Sequence, residues 1–211
     1  MSRFLIGIDE AGRGPFAGPV SVGVFAVRSR AVLNKFRGVK DSKQLSEKQR
    51  EEWFKKIKNL AKNGDSNGGG DVFFAVSFSS AGIIDKKGIS YAIRSALDRG
   101  LKKLEKRYNG AHPHAAHLPE NSRVLLDGSL YAPERYKNQK TIIDGDAKEP
   151  IIALASICAK VLRDRKIKRM TKKYPKYGLE IHKGYGTKMH CIAIRKHGLS
   201  EIHRKTFCKN I

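Results

Sequence analysis

The sequence predicts an α/β fold in which short strands alternate with amphipathic helices. Apolar runs of strand length recur along the chain: they cover residues 4–6, 19–27, 72–78, 123–129 and 140–146, the last two of which include an acid followed by glycine. Apolar residues at helical spacing mark further segments: one begins at Ser46, one extends from about Ile84 to Arg107, and one extends from Pro150 to Met170. A sheet packed against helices accounts for both patterns.

The first strand leads into the stretch on which the functional interpretation depends. Asp9 and Glu10 follow its apolar run, and the glycine-arginine-glycine turn 12–14 comes directly after them. Neighbouring side chains of a strand point to opposite faces, so both carboxylates serve one site only if the chain leaves the strand at about Glu10. Such a site suits Mg²⁺ or Mn²⁺, which prefer oxygen ligands. An ordinary strand end with solvated acids is the alternative.

The chain carries a large excess of positive charge. Its 211 residues include 43 lysines and arginines against 20 aspartates and glutamates, a net charge of +23. The excess predicts a polyanionic partner, nucleic acid first and an anionic membrane surface second. No apolar run approaches the ~20 residues of a membrane-spanning helix. The length predicts one domain over residues 1–211, with a basic substrate-binding segment from about residue 175.

The cysteines and the N-terminus favour a cytoplasmic location. Cys158, Cys191 and Cys208 are far apart and show neither a disulfide framework nor a C-x-x-C metal spacing. The first strand begins almost at Met1, which leaves no room for a signal peptide. We therefore expect a protein of the reducing cytoplasm.

Several local patterns predict structure rather than chemistry. Residues 46–49 form a capping box for the helix that follows, and the short turn before residues 19–27 predicts an antiparallel hairpin. The glycine-rich stretch 63–71 predicts a flexible loop, because no lysine-serine pair and no helix follow it. The histidines of 111–117 predict a solvated loop in preference to a zinc site, since no cysteine lies near them.

Acids end three of the predicted strands. Asp127 and Asp146 follow apolar runs as Asp9 and Glu10 do. If these strands are neighbours and end on the same side, the four carboxylates converge, because adjacent strands lie about 5 Å apart. Clustered carboxylates repel one another unless cations occupy the site. Two divalent ions would bridge them and a scissile phosphate, which predicts phosphodiester hydrolysis.

The C-terminal part of the chain is both basic and aromatic. Residues 174–178, 182–187 and 203–207 combine lysine and arginine, which contact phosphates, with aromatic rings, which stack on bases or sugars. A solvated charged face with core aromatics is the alternative.

Two further sets of residues have no assigned chemistry. Ser156, Lys160 and Asp164 lie at four-residue spacing on a polar face of the last predicted helix. The remaining histidines look scattered: they are His182, His190, His197 and His203.

Together these motifs resemble the type 2 ribonuclease H family (ribonuclease HII). The matching segments follow the family's order over nearly the whole chain: residues 7–15, 41–46, 126–128, 145–146, 155–164, 174–178, 182–185 and 203–207. The resemblance implies a ribonuclease H-like fold, a mixed five-stranded sheet flanked by helices with a C-terminal helical extension.

The same resemblance implies an activity. The expected enzyme is an endonuclease that hydrolyses the RNA of RNA–DNA hybrids and cuts 5′ of single ribonucleotides in duplex DNA. Two-metal-ion catalysis would leave 5′-phosphate and 3′-hydroxyl ends. Such an enzyme would act as a monomer in ribonucleotide excision repair and DNA replication.

By position, the resemblance assigns roles to individual residues. Asp9, Glu10, Asp127 and Asp146 match the family's catalytic, metal-binding acids, which take Mg²⁺ or Mn²⁺.

Other positions match substrate contacts. Gly12, Arg13 and Gly14 match an element that grips the ribose 2′-hydroxyl, the group that distinguishes RNA from DNA. Tyr185 matches a tyrosine that stacks on the next sugar. Residues 42–43 (Ser42 and Lys43) match a phosphate-contacting loop, and Arg204 joins the substrate contacts of the basic tail.

The chain departs from the family pattern at three positions. Gly88 stands where asparagine is usual, Leu154 stands where a small residue is typical, and Asp144 adds a fifth acid. Arg13 argues against the related type 3 enzymes, which lack it. Two other functions stay open at this point: a non-catalytic basic nucleic-acid-binding protein, and a nuclease of the same fold that acts on DNA alone.

Overall fold

A mixed five-stranded sheet forms the centre of the computed structural model, which describes residues 4–62, 70–112, 117–119 and 121–211. In chain order the strands are β1 (Leu5–Ala11), β2 (Val20–Val27), β3 (Val72–Ser79), β4 (Arg123–Asp127) and β5 (Gln139–Ile142). Their spatial order is β3-β2-β1-β4-β5. β2 pairs antiparallel with β1 and β3, whereas β4 pairs parallel with β1 and β5. The predicted sheet and its N-terminal hairpin are confirmed.

Helices flank both faces of the sheet. In chain order they are α1 (Glu47–Lys62), α2 (Ala81–Lys87), α3 (Ile89–Ala111), α4 (Gly145–Lys148), α5 (Pro150–Met170), α6 (Leu179–His182) and α7 (Lys188–His197). Short 3₁₀ turns lie at Arg30–Phe36, Pro175–Tyr177 and Lys205–Phe207. α3 packs on one face of the sheet, and α5 packs with α1 on the other.

β1 is buried on both faces, which fixes the direction of its functional side chains. Ile8 packs in the core that contains α3, whereas Leu5 packs in the core that contains α5. Gly7, on the same face as Leu5, lies so close to α5 that a Cβ there would come within 2.2 Å of the Ile151 carbonyl oxygen. Because residues two apart in a strand share a face, Asp9 is directed toward α5.

α1 begins at the predicted capping box. The Ser46 N–H donates to Gln49 Oε1 (2.8 Å), and the Gln49 N–H donates to Ser46 Oγ (3.2 Å). Two backbone donors at the start of the helix are thereby satisfied. Phe54 and Ile57 are the buried residues of this helix, with Trp53 half-buried beside them.

The segment predicted as one helix from about Ile84 to Arg107 forms two helices, so this prediction was wrong. α2 and α3 meet at Gly88, whose φ of +82° interrupts the helical backbone. Glycine adopts this left-handed region without the steric cost of a Cβ. Ser80 Oγ caps α2 by accepting a hydrogen bond from the Ile83 N–H (3.4 Å), and α3 continues to Ala111.

The fifth strand is shorter than predicted, and Asp146 does not lie at its end. β5 ends at Ile142, and Asp144 then adopts a left-handed conformation with φ of +54°. The chain turns there into α4, which carries Asp146. The Gly145 N–H donates to Asp127 Oδ1 (2.7 Å) and ties this turn to the end of β4. Asp146 therefore reaches the site from a helical turn.

Residues 175–211 form the predicted C-terminal helical extension and pack on a core of their own. That core consists of Ala17, Ile167, Tyr177, Leu179, Ile194, Ile202 and Cys208. Backbone hydrogen bonds join the extension to the loop after β1: the Gly18 N–H donates to the Ile202 carbonyl (2.8 Å), and the Arg204 N–H donates to the Phe16 carbonyl (2.7 Å).

Three histidines that look scattered in the sequence meet in this extension. His182, His190 and His203 are all buried, and their rings lie against one another. His197 is exposed and lies edge-on to Tyr177 instead. The expectation of scattered histidines was therefore wrong for three of the four.

Two loop predictions fall outside the described residues in part. They concern residues 63–69 of the glycine-rich stretch and residues 113–116 of the histidine stretch. Just before the latter, His112 stacks on Tyr108 with ring centroids 4.3 Å apart. Across the described part of the chain, the helices are too short or too polar to cross a membrane.

Candidate active site

The ends of β1 and β4 place Asp9 beside Asp127. The parallel register pairs Ile8 with Leu126, so the residues that follow them are neighbours at the same end of the sheet. Asp9 is only 3% exposed, and its Oδ1 accepts a hydrogen bond from the Glu10 N–H (2.6 Å). Asp127 is partly buried. Two of the predicted acids therefore meet because their strands are adjacent and parallel.

Glu10 adds its charge to this pair from the other face of β1, because the strand does not end there. The expectation that the chain leaves the strand at about Glu10 was wrong, since β1 continues to Ala11, opposite Ser21. Glu10 Oε1 lies 3.2 Å from Arg13 Nε, whereas Oε2 is buried and has no hydrogen-bond partner among the described residues. A buried carboxylate oxygen without a partner is costly, so this atom marks a place for a bound cation.

The ionised form of the carboxyl group is disfavoured at both Asp9 and Glu10. Burial, followed by the charges of Glu10 and Asp127, raises the pKa of Asp9 well above its usual range. Burial also raises the pKa of Glu10; Arg13 opposes this rise, and the charge of Asp127 adds to it. The charge of Asp127 contributes to both raised pKa values, so the three side chains share one electrostatic environment.

Asp146 is paired with a lysine. Lys43 Nζ lies 2.9 Å from Asp146 Oδ2, and Asp146 is 4% exposed. The hydrogen bond to Asp146 is the largest cause of a raised pKa for Lys43, to which the charge of Asp9 also contributes. Lys43 thus lies between Asp146 and Asp9. Partial burial and the charge of Asp146 raise the pKa of Asp41, which indicates that Asp41 lies near Asp146 as well.

Ser42 points inward, toward α5. It is buried, and its Oγ lies 2.8 Å from Ser156 Oγ. Ser156 in turn donates a hydrogen bond to Asp9, which lowers the pKa of that carboxyl group against the larger effect of burial. The two hydroxyl groups therefore connect the loop of Lys43 to Asp9.

The donor set fits a divalent metal ion, although its side chains are not pre-arranged around one. Carboxylate oxygens are the ligands that Mg²⁺ and Mn²⁺ prefer, and a cation would relieve the repulsion among the acids. Within the described residues, no three acidic, histidine or cysteine side chains are grouped to hold one ion. Arg13 and Lys43 hold oxygen atoms of Glu10 and Asp146 instead. Metal binding would exchange these ion pairs for metal–oxygen bonds.

The loop after β1 presents a glycine-arginine-glycine turn next to the acids. Gly12 has a φ of +88°, and a Cβ there would lie 2.0 Å from Arg163 Nε, so only glycine fits. The Arg13 side chain is half exposed, and the space around Gly14 is open. A ligand can therefore approach the backbone of this turn closely.

Arg204 lies beneath this turn and does not face solvent. It is fully buried and donates to the carbonyl oxygens of Gly12 (2.7 Å), Arg13 (2.7 Å) and Gly18 (3.1 Å). Burial and the neighbouring Arg163 lower its pKa to about 9. The predicted substrate contact of Arg204 is thus replaced by a positioning role for the turn.

Tyr185 lies at the surface beside α5. Its side chain is partly exposed, and its ring is 5.4 Å from Lys160 Nζ and 5.8 Å from the Arg163 guanidinium carbon. Arg163 is buried and donates to the carbonyl oxygens of Pro19 and Ala17. One buried arginine therefore contacts both the turn and the ring of Tyr185.

Comparison with known proteins identifies the family to which this arrangement belongs. Residues 6–210 match the sequence profile described as Ribonuclease HII. The chain belongs to the ribonuclease HII family. A Ribonuclease HII of Prochlorococcus marinus subsp. pastoris is 40% identical over 207 residues, which cover 98% of this chain and 88% of that protein.

Solved structures of ribonucleases H2 and HII share the fold. The ribonuclease H2 from Pyrococcus horikoshii OT3 matches with a TM-score of 0.64 and 26% identity, over 98% of this chain and 95% of that one. The RNase HII in a PCNA complex from Archaeoglobus fulgidus matches with a TM-score of 0.68, 26% identity and the same coverage. That relative assembles with PCNA.

Membership of the ribonuclease HII family establishes the class of reaction. The protein is a ribonuclease H, an endonuclease that acts on the RNA of RNA–DNA hybrids, and nucleic acid is its substrate. A purely nucleic-acid-binding function is therefore not favoured.

Two residues near the site of this chain had no role assigned from the sequence. Ser156 bonds to Asp9, and Arg163 packs against Gly12 and donates to the Pro19 carbonyl. The signal available for Ser156 was its place in the polar stripe of α5, whose other members, Lys160 and Asp164, form an ion pair (3.1 Å). Nothing in the sequence distinguished Arg163 from a surface cation.

Proposed function

We propose that this member of the ribonuclease HII family cuts on the 5′ side of a single ribonucleotide in duplex DNA, as well as within RNA–DNA hybrids. The cut leaves a 3′-hydroxyl on the upstream strand and a 5′-phosphate on the ribonucleotide. The observation that carries the proposal is the cluster of Asp9, Glu10 and Asp127 next to the turn at residues 12–14, to which Glu10 is joined by its ion pair with Arg13. Such a cut begins the removal of ribonucleotides from DNA.

Four acids are proposed to bind the metal ions. They are Asp9, Glu10, Asp127 and Asp146, and the ions are Mg²⁺ or Mn²⁺. When bound there, two ions would supply activation of the attacking water and stabilisation of the leaving oxygen. The protein's own contribution is to hold the oxygen atoms still: Ser156 orients Asp9, and the Gly145 N–H orients Asp127.

The turn at residues 12–14 is proposed to recognise the ribose 2′-hydroxyl. A 2′-hydroxyl both donates and accepts, and DNA lacks it, so contacts to it select RNA. The open space at Gly14 admits the sugar, and the half-exposed Arg13 supplies a donor beside it. Tyr185 is proposed to stack on the next sugar, since its ring is partly exposed and lies 5.8 Å from the guanidinium carbon of Arg163, whose side chain packs against Gly12.

The remaining substrate contacts are proposed for exposed cations. The Lys43 side chain is largely exposed, so its ammonium group is available to a backbone phosphate. Ser42, being buried against Ser156, is proposed to set the position of Lys43 rather than to touch phosphate. Residues 1–211 are proposed to work as one domain, in which the segment from about residue 175 binds the duplex through exposed cations such as Lys188 and Arg195.

The test of this function uses a pair of matched aspartates. Asp9→Asn removes one buried, proposed metal ligand without changing its size, whereas Asp144→Asn alters an exposed acid in a left-handed conformation that asparagine also tolerates. With a duplex that contains one ribonucleotide and either Mg²⁺ or Mn²⁺, we expect Asp9→Asn to lower kcat by about 10³-fold or more and to leave duplex affinity within a few fold. Asp144→Asn should cleave like the wild type.

The products and an all-DNA duplex complete the test. Mapped ends should be a 3′-hydroxyl and a 5′-phosphate at the 5′ side of the ribonucleotide, and the all-DNA duplex should stay intact. Wild-type rates for Asp9→Asn would refute the catalytic assignment. Cleavage of the all-DNA duplex would favour a DNA nuclease of the same fold.

A further inference from the structure

Three buried histidines pack together next to the loop that carries Tyr185, and two of them, His190 and His203, are hydrogen-bonded to each other. His182 and His190 stack with ring centroids 4.2 Å apart, and His190 Nε2 lies 3.1 Å from His203 Nε2. His190 is completely buried, and the other two are at most 8% exposed. Histidines so deeply buried, next to one another, have to be satisfied as neutral rings, each with one donor and one acceptor nitrogen.

The hydrogen bonds determine which nitrogen of each ring carries the proton. His190 Nδ1 faces the Tyr185 carbonyl (2.9 Å), which only accepts, so Nδ1 carries the proton and Nε2 accepts. His203 Nε2 therefore donates to His190, and its Nδ1 accepts from the Ser200 N–H (3.0 Å). The chain runs in one direction, from Ser200 through both histidines to the Tyr185 carbonyl.

His182 supports the same loop from the other side. Its Nδ1 accepts from the Gly184 N–H (3.2 Å), and its Nε2 donates to the Tyr177 carbonyl (2.7 Å). Burial lowers the pKa of His190 to about 4, and burial is also the largest cause of the lowered pKa of His203. Both rings are therefore neutral at physiological pH, as the chain of hydrogen bonds requires.

The loop needs such support because its backbone is strained. Lys183 and Gly184 both have positive φ, +52° and +84°, and Lys183 is one of two non-glycine residues with this conformation in the described part of the chain. The strain lies at Lys183, because a non-glycine residue is disfavoured in the left-handed region and persists there only where its surroundings fix it. The Gly184 carbonyl in turn accepts from the N–H groups of Phe16 and Ala17 (2.8 and 3.1 Å), in the loop that begins with the turn at residues 12–14.

We propose that His190, held by His203, is a positioning residue that fixes Tyr185 in register with the turn at residues 12–14. It acts through the Tyr185 carbonyl and touches no substrate. The inference rests on the proposed role of Tyr185 in stacking on the sugar next to the ribonucleotide. It assigns a task to a histidine cluster that lies outside the acidic site.

The first experiment determines the tautomers of the three histidine rings in the wild-type enzyme. Long-range ¹H–¹⁵N correlation spectra of the imidazole rings at pH 7 should show the proton on Nδ1 for His190 and on Nε2 for His182 and His203. The Nε2–H form is the usual one for free histidine, so the reversed state of His190 is distinctive. A proton on Nε2 of His190, or a doubly protonated ring, would overturn the proposal without any need for a variant.

The second experiment is a double-mutant cycle on a duplex with one ribonucleotide. His190→Leu removes the donor to the Tyr185 carbonyl, whereas His190→Asn places an amide N–H near the position of Nδ1. We expect His190→Leu to raise KM about tenfold, with kcat changed by less than about threefold, and His190→Asn to restore most of the loss. In a Tyr185→Ala background, His190→Leu should add nothing.

The outcomes separate this inference from the function on which it rests. If Tyr185→Ala raises KM but the effect of His190→Leu multiplies with it, the histidine is merely structural and the inference fails while the role of Tyr185 stands. If Tyr185→Ala leaves KM unchanged, the stacking role fails and the inference falls with it. If His190→Leu does not fold, two results still test the inference: the tautomers, and the KM of His190→Asn, which should lie close to the wild-type value. A KM of His190→Asn as high as that of Tyr185→Ala would overturn the inference.

Discussion

The Asp9 carboxyl group is buried between the end of β1 and α5, close to Glu10 and Asp127. Burial and these neighbours raise its pKa well above that of an unfolded chain, which is about 3.9. An acid whose pKa is higher in the folded state stabilises the fold below its unfolded pKa and loses this contribution as the pH rises through the folded pKa. At neutral pH, the raised pKa of Asp9 therefore lowers the free energy of unfolding.

Asp9→Asn should make the metal-free protein more stable. The amide keeps the size of the side chain and removes a charge whose cost is about 1.4 kcal/mol for each unit of pKa shift. For a chain of this length, 1 kcal/mol corresponds to about 2–4 °C in Tm. Calorimetry in EDTA at pH 7.5 should show a Tm several degrees above wild type, and the gain should shrink as the pH is lowered toward 4.

The matched variant for this measurement is Asp144→Asn, which should leave Tm unchanged. Added Mg²⁺ should stabilise the wild type more than Asp9→Asn, since the ion offsets the same repulsion. A lower Tm for Asp9→Asn at every pH would show that the carboxylate contributes to folding.

Replacing Arg13 should reduce the selectivity of the enzyme for RNA. Arg13→Ala removes a donor proposed to lie beside the 2′-hydroxyl and leaves the buried acids in place. We expect kcat/KM for a single-ribonucleotide duplex to fall about 10- to 100-fold, while affinity for the duplex falls only a few fold. Steady-state kinetics and fluorescence anisotropy on the same duplex measure the two effects.

Arg37→Ala, at an exposed arginine outside the turn, is the control for a general loss of positive charge. Because Arg13 also lowers the pKa of Glu10, the comparison should be repeated at pH 8.5. Equal losses on every duplex for both variants would contradict a role in reading the ribose.

At the scale of elements, α1 offers a clean test because its first turn depends on one hydroxyl group. Ser46→Ala removes the acceptor for the Gln49 N–H and should lower the free energy of unfolding by about 1 kcal/mol. Urea unfolding measures this loss, and kcat should not change because the cap lies outside the acidic cluster. Ser129→Ala, at an exposed serine in a turn, should leave the midpoint unchanged. An unchanged midpoint for Ser46→Ala as well would mean that tertiary packing alone holds the start of α1.

Elements whose bounds are set by local chemistry were predictable from the sequence. α5 begins at its proline and α1 at its capping box, as predicted. The break at Gly88 was not, because apolar spacing continues across it: Ile84 and Ile93 both enter the same core, although they belong to different helices. The spacing of apolar residues does not reveal that one glycine has a positive φ.

The acids of the site were predictable from the sequence, but the residues that hold the site in place were not. Asp9 and Asp127 could be found because each follows an apolar run in the sequence, and they meet because their strands are adjacent and parallel. Arg204 reads as a surface cation, since arginine is rarely buried completely. Its partner, the Gly12 carbonyl, lies 192 residues away, so only the folded chain reveals the contact.

At the scale of the whole molecule, the acidic cluster is a local exception in a strongly basic protein. Several acids elsewhere are neutralised by cations: Glu47 pairs with Lys168 and Lys183, and Glu51 pairs with Arg165. With a net charge of +23, the outer field attracts a polyanionic duplex, whereas the buried acids are the proposed ligands of divalent cations. We therefore expect substrate binding to depend on the positive charges of the surface and catalysis to depend on the negative charges of the buried cluster.

This separation predicts that salt weakens binding far more than it slows the chemical step. With the Asp9→Asn protein as a non-cutting binder, Kd for an RNA–DNA hybrid should rise about 10²- to 10³-fold between roughly 50 and 200 mM salt if about four to six phosphates are contacted. With the wild type, kcat at saturating substrate should change by less than about threefold, because charges in a buried cluster are screened much less than exposed ones. Anisotropy titrations and single-turnover rates on the same hybrid give both values. A Kd independent of salt would mean that the surplus lysines and arginines do not lie against the duplex. A kcat that falls in step with affinity would instead place these cations at the scissile phosphate.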